Sequence, residues 1–482
     1  MVARQQQPST PLAARNIDMR AVLDRGLHAL AALAPDLVHE ANRIGAILWS
    51  PPRIVVVGRL KAGKSTLVNA LIGAPIAETA ALEATNVVTV YENGAPSRAD
   101  VVGIDGSRRS VVLEHGRRAD LGVPASEVGY VHRFLPSDAL ADVTLIDTPG
   151  LATLTVENEQ ATHRALIDGY EQTRAASVDA DAAIFLFDST PRADEMKFLR
   201  QLGFTPLNTL GVLSRADSFG EGALGRVDPI EHARSHAVSL ATTLASSVAT
   251  VIPISGLLAE TSHTGRITES DARALHRLAH LQPLELFDLM ESDDPAPLDA
   301  ATRDRLLDLI GEYGMVGGRG PAGAGAYSLS QWLVARSGVD PLREVLNTAL
   351  RDFATLHRAN RVLSELDSLA FTHPFRDRIR AITDSVRRDR SLQPVLLFQA
   401  LRGMLLADES SPVVGELMRV LTGRNDAERL GLHVQAHRAQ VVSVATERIE
   451  WAAGRSISTA TAAEDAALGE LIRLYTTIRS NA

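Results

Sequence analysis

Ile54-Val55-Val56-Val57-Gly58-Arg59-Leu60-Lys61-Ala62-Gly63-Lys64-Ser65-Thr66 is the stretch from which the fold can be read. A run of β-branched residues ends in Gly58, and Gly63-Lys64-Ser65 opens the apolar run Leu67-Val68-Asn69-Ala70-Leu71. Strand, glycine-bounded loop and helix follow in the order a phosphate-binding loop requires. Gly58 and Gly63 let main-chain N–H groups, with those of Ala62 and Thr66, curl around phosphates at the positive end of a helix. Lys64 is expected to reach the β- and γ-phosphates and Ser65 to ligate Mg²⁺. Lys61 sits where the loop faces the phosphates. Only three of the 49 Lys and Arg residues are lysines, and two of them, Lys61 and Lys64, lie in this loop. The competing reading, a glycine turn between packed elements, explains the glycines but not the lysines.

Downstream, Leu145-Ile146-Asp147-Thr148-Pro149-Gly150 closes a run of alternating apolar residues. Asp147 is expected to hold Mg²⁺ through water, and the Gly150 N–H to sense the γ-phosphate. Thr85, in Ala84-Thr85-Asn86, is the candidate switch threonine that closes on Mg²⁺, with Thr79 as its rival. The base needs separate evidence. Leu210-Gly211-Val212-Leu213 leads into Ser214-Arg215-Ala216-Asp217, and a carboxylate at the end of a strand can accept from N1–H and the exocyclic amine of guanine. Adenine offers an unprotonated N1 there, and an unmet polar contact costs about 1–3 kcal/mol, enough to select the base. The usual signature has Asn or Thr followed by Lys at the first two positions. Ser214 and Arg215 depart from it, although Arg can stack over a purine. Ser255-Gly256, after Val251–Ile254, is a weaker fifth element near the base. The nucleotide implied is GTP or GDP with Mg²⁺.

The full chain has 482 residues, 45% hydrophobic and 22% charged, enough for two or three buried cores. A net charge of −9 argues against a nucleic-acid surface, and the absence of cysteine removes disulfides, thiolate catalysis and cysteine zinc sites. The fourteen histidines form no metal-ligand spacing, so Mg²⁺ is the only metal expected. Residues 1–15 read as a disordered tail and 16–50 as helices with a break at Pro35. Residues 51–338 read as one GTPase domain: to about residue 255 short β-branched runs alternate with helical stretches, the pattern of a mostly parallel sheet covered by helices, and 256–338 are mixed. Turn signals at Asn93-Gly94 and Asp105-Gly106 mark an antiparallel extension of that sheet. From 339 to 482 only helical patterns appear, beginning with a long amphipathic helix of about 45 Å at 1.5 Å per residue. The fold expected is therefore an α/β P-loop GTPase head joined to an all-α helical bundle.

Taken together, GRLKAGKSTLVNALIG, EATNVVT, LIDTPG, LSRAD and PISGLLA resemble the bacterial dynamin-like GTPases. The likeness is to the mycobacterial isoniazid-inducible type and its actinobacterial relatives, especially the shorter form without transmembrane segments, and it continues into Arg336–Arg343. The resemblance implies the roles given above for Lys64, Ser65, Thr85, Asp147, Gly150 and Asp217. It also implies association of two heads across their nucleotides, as a homodimer or with a paralogous dynamin-like protein. The helical bundle, by the same resemblance, is a neck and stalk built from both chain ends that works on membranes. Leu151 stands where Ras-like enzymes place a water-orienting Gln, so charge for the reaction must come from elsewhere, and Lys61 is the candidate.

No run reaches the roughly 18 apolar residues of a membrane span, so the chain reads as cytoplasmic, with any membrane contact peripheral at the inner face of the plasma membrane. Arginines over 375–390 followed by apolar residues over 392–406 suit either an anionic lipid surface or a buried bundle helix beside a solvated one. Three functions fit: a self-associating mechanochemical GTPase, a regulatory GTPase switch, and a weakly active GTP-binding subunit that supports a paralogue.

Overall fold

The computed structural model describes residues 12–59, 61–76, 87–112, 127–149, 180–192, 195, 196, 199, 202–292 and 296–482. The chain divides into two compact units, one of Pro51–Met196 with Thr209–Leu350 and one of Met1–Ser50, Lys197–Asn208 and Arg351–Ala482.

The first unit is built on nine strands among the described residues: β1 Arg53–Gly58, β2 Val88–Asn93, β3 Arg98–Gly103, β4 Arg108–Val112, β5 Val128–Leu135, β6 Thr144–Asp147, β7 Ala182–Phe187, β8 Thr209–Leu213 and β9 Val251–Pro253. Their order is β4-β3-β5-β2-β6-β1-β7-β8-β9. β6, β1, β7, β8 and β9 are parallel neighbours. Every residue of β6, β7 and β8 is buried, because both faces of a parallel sheet are covered, and β7 reads as an unbroken apolar run for that reason. The extension behaves differently. β5 alternates between buried and half-exposed residues and β4 is almost wholly exposed, as expected where one face meets water. β2 runs antiparallel to β6, and β3 antiparallel to β4 and β5, but β2 and β5 pair parallel. The extension is therefore mixed rather than purely antiparallel. Parallel strands aim their carboxyl ends at one edge, where open α/β sheets bind ligands. That edge receives the loops after β1, β6, β8 and β9.

The second unit is helical, with long elements Leu12–Ala31, Pro35–Trp49, Arg351–Thr372, Arg376–Arg388, Gln393–Ala407, Pro412–Thr422, Arg438–Ser456 and Ala462–Asn481. Leu23, Leu30, Ile44, Leu363, Phe398, Leu401, Leu417, Leu471 and Tyr475 share one core, each 1% exposed or less. The first helix begins at Leu12, inside the stretch expected to be tail, and the break at Pro35 falls where proline opens a helix.

Two boundaries differ from those expected. Residues 339–350 belong with the sheet, because Val339 and Leu342 are buried and Arg343 donates to the carbonyls of Ala70 and Leu71 at the end of the phosphate-loop helix. The long helix expected after Pro341 is accordingly divided by a wide turn at Leu346–Leu350. Residues 202–208 also belong with the helices. There Leu207 joins the helical core, Arg402 donates to the Gly203 carbonyl at 2.9 Å, and Asn208 meets His357 at 3.3 Å.

The apolar stretch 392–406 resolves as bundle core. Leu392, Val395, Phe398 and Leu401 are wholly buried, while Leu406 is 64% exposed. Phe398→Ala should therefore lower the stability of the helical unit by about 3–5 kcal/mol, and Leu406→Ala by under about 0.5 kcal/mol. Urea unfolding followed by far-UV circular dichroism compares the two; equal effects would contradict this packing.

Candidate functional site

The loop after β1 enters the helix Lys64–Ile72 through Gly63, whose φ of +95° favours glycine. Lys61 also has positive φ, +62°, and the other described non-glycine residue with that geometry is Arg215, at +56°. Both are held by their surroundings, for Arg215 Nη2 donates to the Lys61 carbonyl at 3.1 Å. Two residues in a costly conformation, tied together at one sheet edge, are what a preformed site looks like.

Lys64 is only 7% exposed, and its Nζ donates to the carbonyls of Gly58 at 3.3 Å and Arg59 at 3.0 Å. Burial pushes the ammonium pKa down, opposed by the Asp147 carboxylate. Burial likewise pushes the Asp147 carboxyl up, opposed by Lys64, by the Ser65 hydroxyl and by the Thr148 N–H. Ser65 Oγ donates to Asp147 Oδ2 at 2.8 Å. Among the described residues, Asp147 Oδ1 is buried without a hydrogen-bond partner. A hydroxyl and a carboxylate in contact, with one carboxylate oxygen still unsatisfied, fit the oxygen donors a magnesium ion takes. Thr148 Oγ1 donates to the Val56 carbonyl at 2.7 Å and fixes this turn to β1.

At the far side, Ser214 N–H donates to the Phe187 carbonyl at 2.8 Å and Ala216 N–H to Ile254 at 3.1 Å. Asp217 sits in the short turn Ala216–Ser218 that follows β8. Ser255 is fully buried, and its hydroxyl accepts from the Leu258 N–H as the cap of helix Gly256–His263. Its side chain is thereby engaged in capping. A Cβ at Gly256 would stand 3.3 Å from Thr66 Cγ2, so this loop closes on the phosphate-loop helix. Lys61, Lys64, Ser65, Asp147, Arg215, Asp217 and Gly256 thus gather at one edge of the sheet. Thr85, its rival Thr79, Gly150 and Leu151 lie outside the described residues.

One pair was missed in the sequence. Arg59 forms a double hydrogen bond with Glu195, Nε to Oε1 and Nη2 to Oε2, both 2.7 Å. Glu195 also accepts from the Arg192 N–H at 2.8 Å and is 5% exposed. The pair anchors the second residue of the phosphate loop to the chain after β7. The acid of Pro191-Arg192-Ala193-Asp194-Glu195 carries no local signal that it pairs with residue 59.

These elements define a P-loop nucleotide-binding head of the GTPase kind. Residues 53–209 match the family described as 50S ribosome-binding GTPase. The isoniazid-induced protein IniC of Mycobacterium tuberculosis is 32% identical over 425 residues, covering 82% of this chain and 83% of the relative. IniA of the same organism is 32% identical over 179 residues, 34% of this chain and 26% of the relative. Among solved structures, an oligomerised bacterial dynamin pair described in connection with long-range sensing and tethering of membranes covers 99% of this chain and 81% of its own. That likeness is loose, at 12% identity and a TM-score of 0.35. The chain belongs to the bacterial dynamin-like GTPases, in the group of the mycobacterial isoniazid-induced proteins. It is a GTP-binding dynamin-like protein. None of its described helices is long and apolar enough to cross a membrane.

Glu195→Ala would remove the double hydrogen bond to a guanidinium that is 21% exposed. Breaking such a pair costs about 3–5 kcal/mol when fully buried, so a loss of about 2 kcal/mol is expected here. Thermal unfolding of the sheet unit should shift down by several degrees, and Glu195→Gln should shift it less. An unchanged midpoint in both would show the pair to be idle.

Proposed function

We propose that this chain hydrolyses GTP slowly as an isolated protein and faster when its heads associate, and that it acts peripherally at the inner face of the plasma membrane. The observation that carries the reading is the convergence of Lys64, the Ser65–Asp147 contact and Asp217 on one sheet edge. Main-chain N–H groups from Gly58 to Thr66 bind the phosphates, with Lys64 leaving its loop carbonyls for the β- and γ-oxygens. Ser65 and Asp147 would hold Mg²⁺, which supplies charge neutralisation at the phosphates. Asp217 accepts from N1–H and the amine of guanine, and Arg215, bridging to Lys61, covers the purine. Thr85 and the Gly150 N–H orient the attacking water in this reading. Lys61, exposed on the loop, supplies positive charge once a second head closes the site.

The membrane part draws support from the turn between helices Arg351–Thr372 and Arg376–Arg388. Phe371 is 81% and Phe375 39% exposed, and Arg376, Arg378 and Arg380 are exposed beside them. Aromatics flanked by arginines suit an anionic lipid surface. The alternative is a regulatory switch or a weakly active subunit supporting a paralogous dynamin-like partner; Leu151 and Arg215 in the base motif favour the subunit.

Turnover per head, measured over a range of protein concentrations with and without anionic vesicles, should rise with both. Rates that stay low and flat would overturn self-association and leave the switch; rates gained only with a paralogue would support the subunit. In the same assay Lys61→Ala should cut the stimulated rate by about tenfold or more. For the base, Asp217→Asn should weaken GTP binding by about 1–3 kcal/mol and improve binding of xanthosine triphosphate, whose 2-carbonyl can accept from the new amide. Unchanged GTP affinity would remove Asp217 from the base site.

A further inference from the structure

Helix Ala300–Gly317 is broken in its middle. Gly311 has φ +59° and ψ −177°, a conformation essentially confined to glycine, with helical turns on both sides. A Cβ at this position would stand 3.3 Å from Leu257 Cδ2 and 3.9 Å from Asp217 Oδ2. The break therefore lies against the carboxylate after β8 and against the residue that follows Gly256.

Both halves of the helix are fixed independently. Before the break, Leu306, Leu309 and Ile310 are buried, and the Leu309 carbonyl accepts from Thr261 Oγ1. A carbonyl near a break in the helical ladder needs another donor, and wholly buried Thr261 supplies it from the helix that Ser255 caps. After the break, Tyr313 donates to Asp228 Oδ2 at 3.0 Å and stacks on Trp332 with ring centroids 5.8 Å apart. A Cβ on this broken backbone would point into the space beside Asp217. Glycine leaves bare backbone there.

We infer that Gly311 forms a third wall of the purine site, its bare backbone keeping open the gap beside the Asp217 carboxylate into which the base edge fits, with Thr261 as the positioning residue that holds the break. The assignment rests on the reading of Asp217 as the base acceptor. A flat base needs close approach on the side of its hydrogen-bonding edge, and a methyl group at 311 occupies that side. The phosphate contacts lie at the loop after β1, so the wall acts on purine binding and leaves the reacting phosphate alone. The lost interaction is the same in ground state and transition state, and it appears in KM rather than kcat.

The test compares wild-type protein, Gly311→Ala and Thr261→Val by calorimetry with GDP and by steady-state GTP hydrolysis. Gly311→Ala is expected to weaken GDP at least about tenfold and raise KM for GTP in proportion, with kcat within about twofold. Thr261→Val keeps the side-chain shape but loses the donor to Leu309; it is expected to do the same by about three- to fivefold, and it decides the matter if Gly311→Ala does not fold. GDP affinity equal to wild type in folded Gly311→Ala, or in Thr261→Val, overturns the assignment. So does a loss confined to kcat, which would mark the break as merely structural. Wild-type protein that binds no GDP would instead overturn the guanine reading itself.

Discussion

Two opposite charges are withdrawn from water at the carboxyl ends of β1 and β6, and the head is organised around making that tolerable. Lys64 and Asp147 are 7% and 9% exposed. Burial opposes the charged form of each, and each relieves the other only in part. Loop carbonyls take up the ammonium, and Ser65 takes up one carboxylate oxygen. The other oxygen stays unsatisfied among the described residues. Such an arrangement calls for a polyanion against the lysine and a divalent cation against the aspartate, which a magnesium nucleotide brings together. Burial of the two charges would be offset by those contacts.

The surrounding loops hold this geometry in ways that cross the sheet. Arg59 is anchored by Glu195 after β7. The backbone at Lys61 is held by Arg215 after β8. Ile254 after β9 accepts from Ala216, and Ser255 N–H donates to Ser337 at 2.9 Å. Arg343 caps the far end of the phosphate-loop helix. Each strand end is thus braced against its neighbour, so the phosphate loop and the loop carrying Asp217 share one braced edge, and the segment 337–343 is part of that bracing.

Much of this was legible in the sequence, for physical reasons. β1, β7 and β8 are covered on both faces, so their burial appears as the apolar runs Ile54–Val57, Ala183–Phe187 and Leu210–Leu213. The phosphate loop needs glycine and lysine at set spacing and so announces itself. What was hidden depends on partners distant along the chain. Nothing near Glu195 points to Arg59. Residues 202–208 look like an ordinary connection between two strands, yet Leu207 packs among helices that begin at Arg351. That the Ser255 hydroxyl caps a helix shows only in its hydrogen bond from the Leu258 N–H. A lone Gly311 inside an apolar-periodic stretch cannot be told from a tolerated helical glycine without the backbone angles. The run 392–406 fits lipid or core equally by composition, and only its burial decides for core.

The central claim is recognition of a magnesium nucleotide by the buried Lys64–Asp147 site. Titration calorimetry of the magnesium-supplied protein with GTP and GDP tests it most directly. The account predicts saturable binding of both, weakened when magnesium is chelated and lost in Lys64→Ala. Absence of binding to either nucleotide, or undiminished binding by Lys64→Ala, would contradict it.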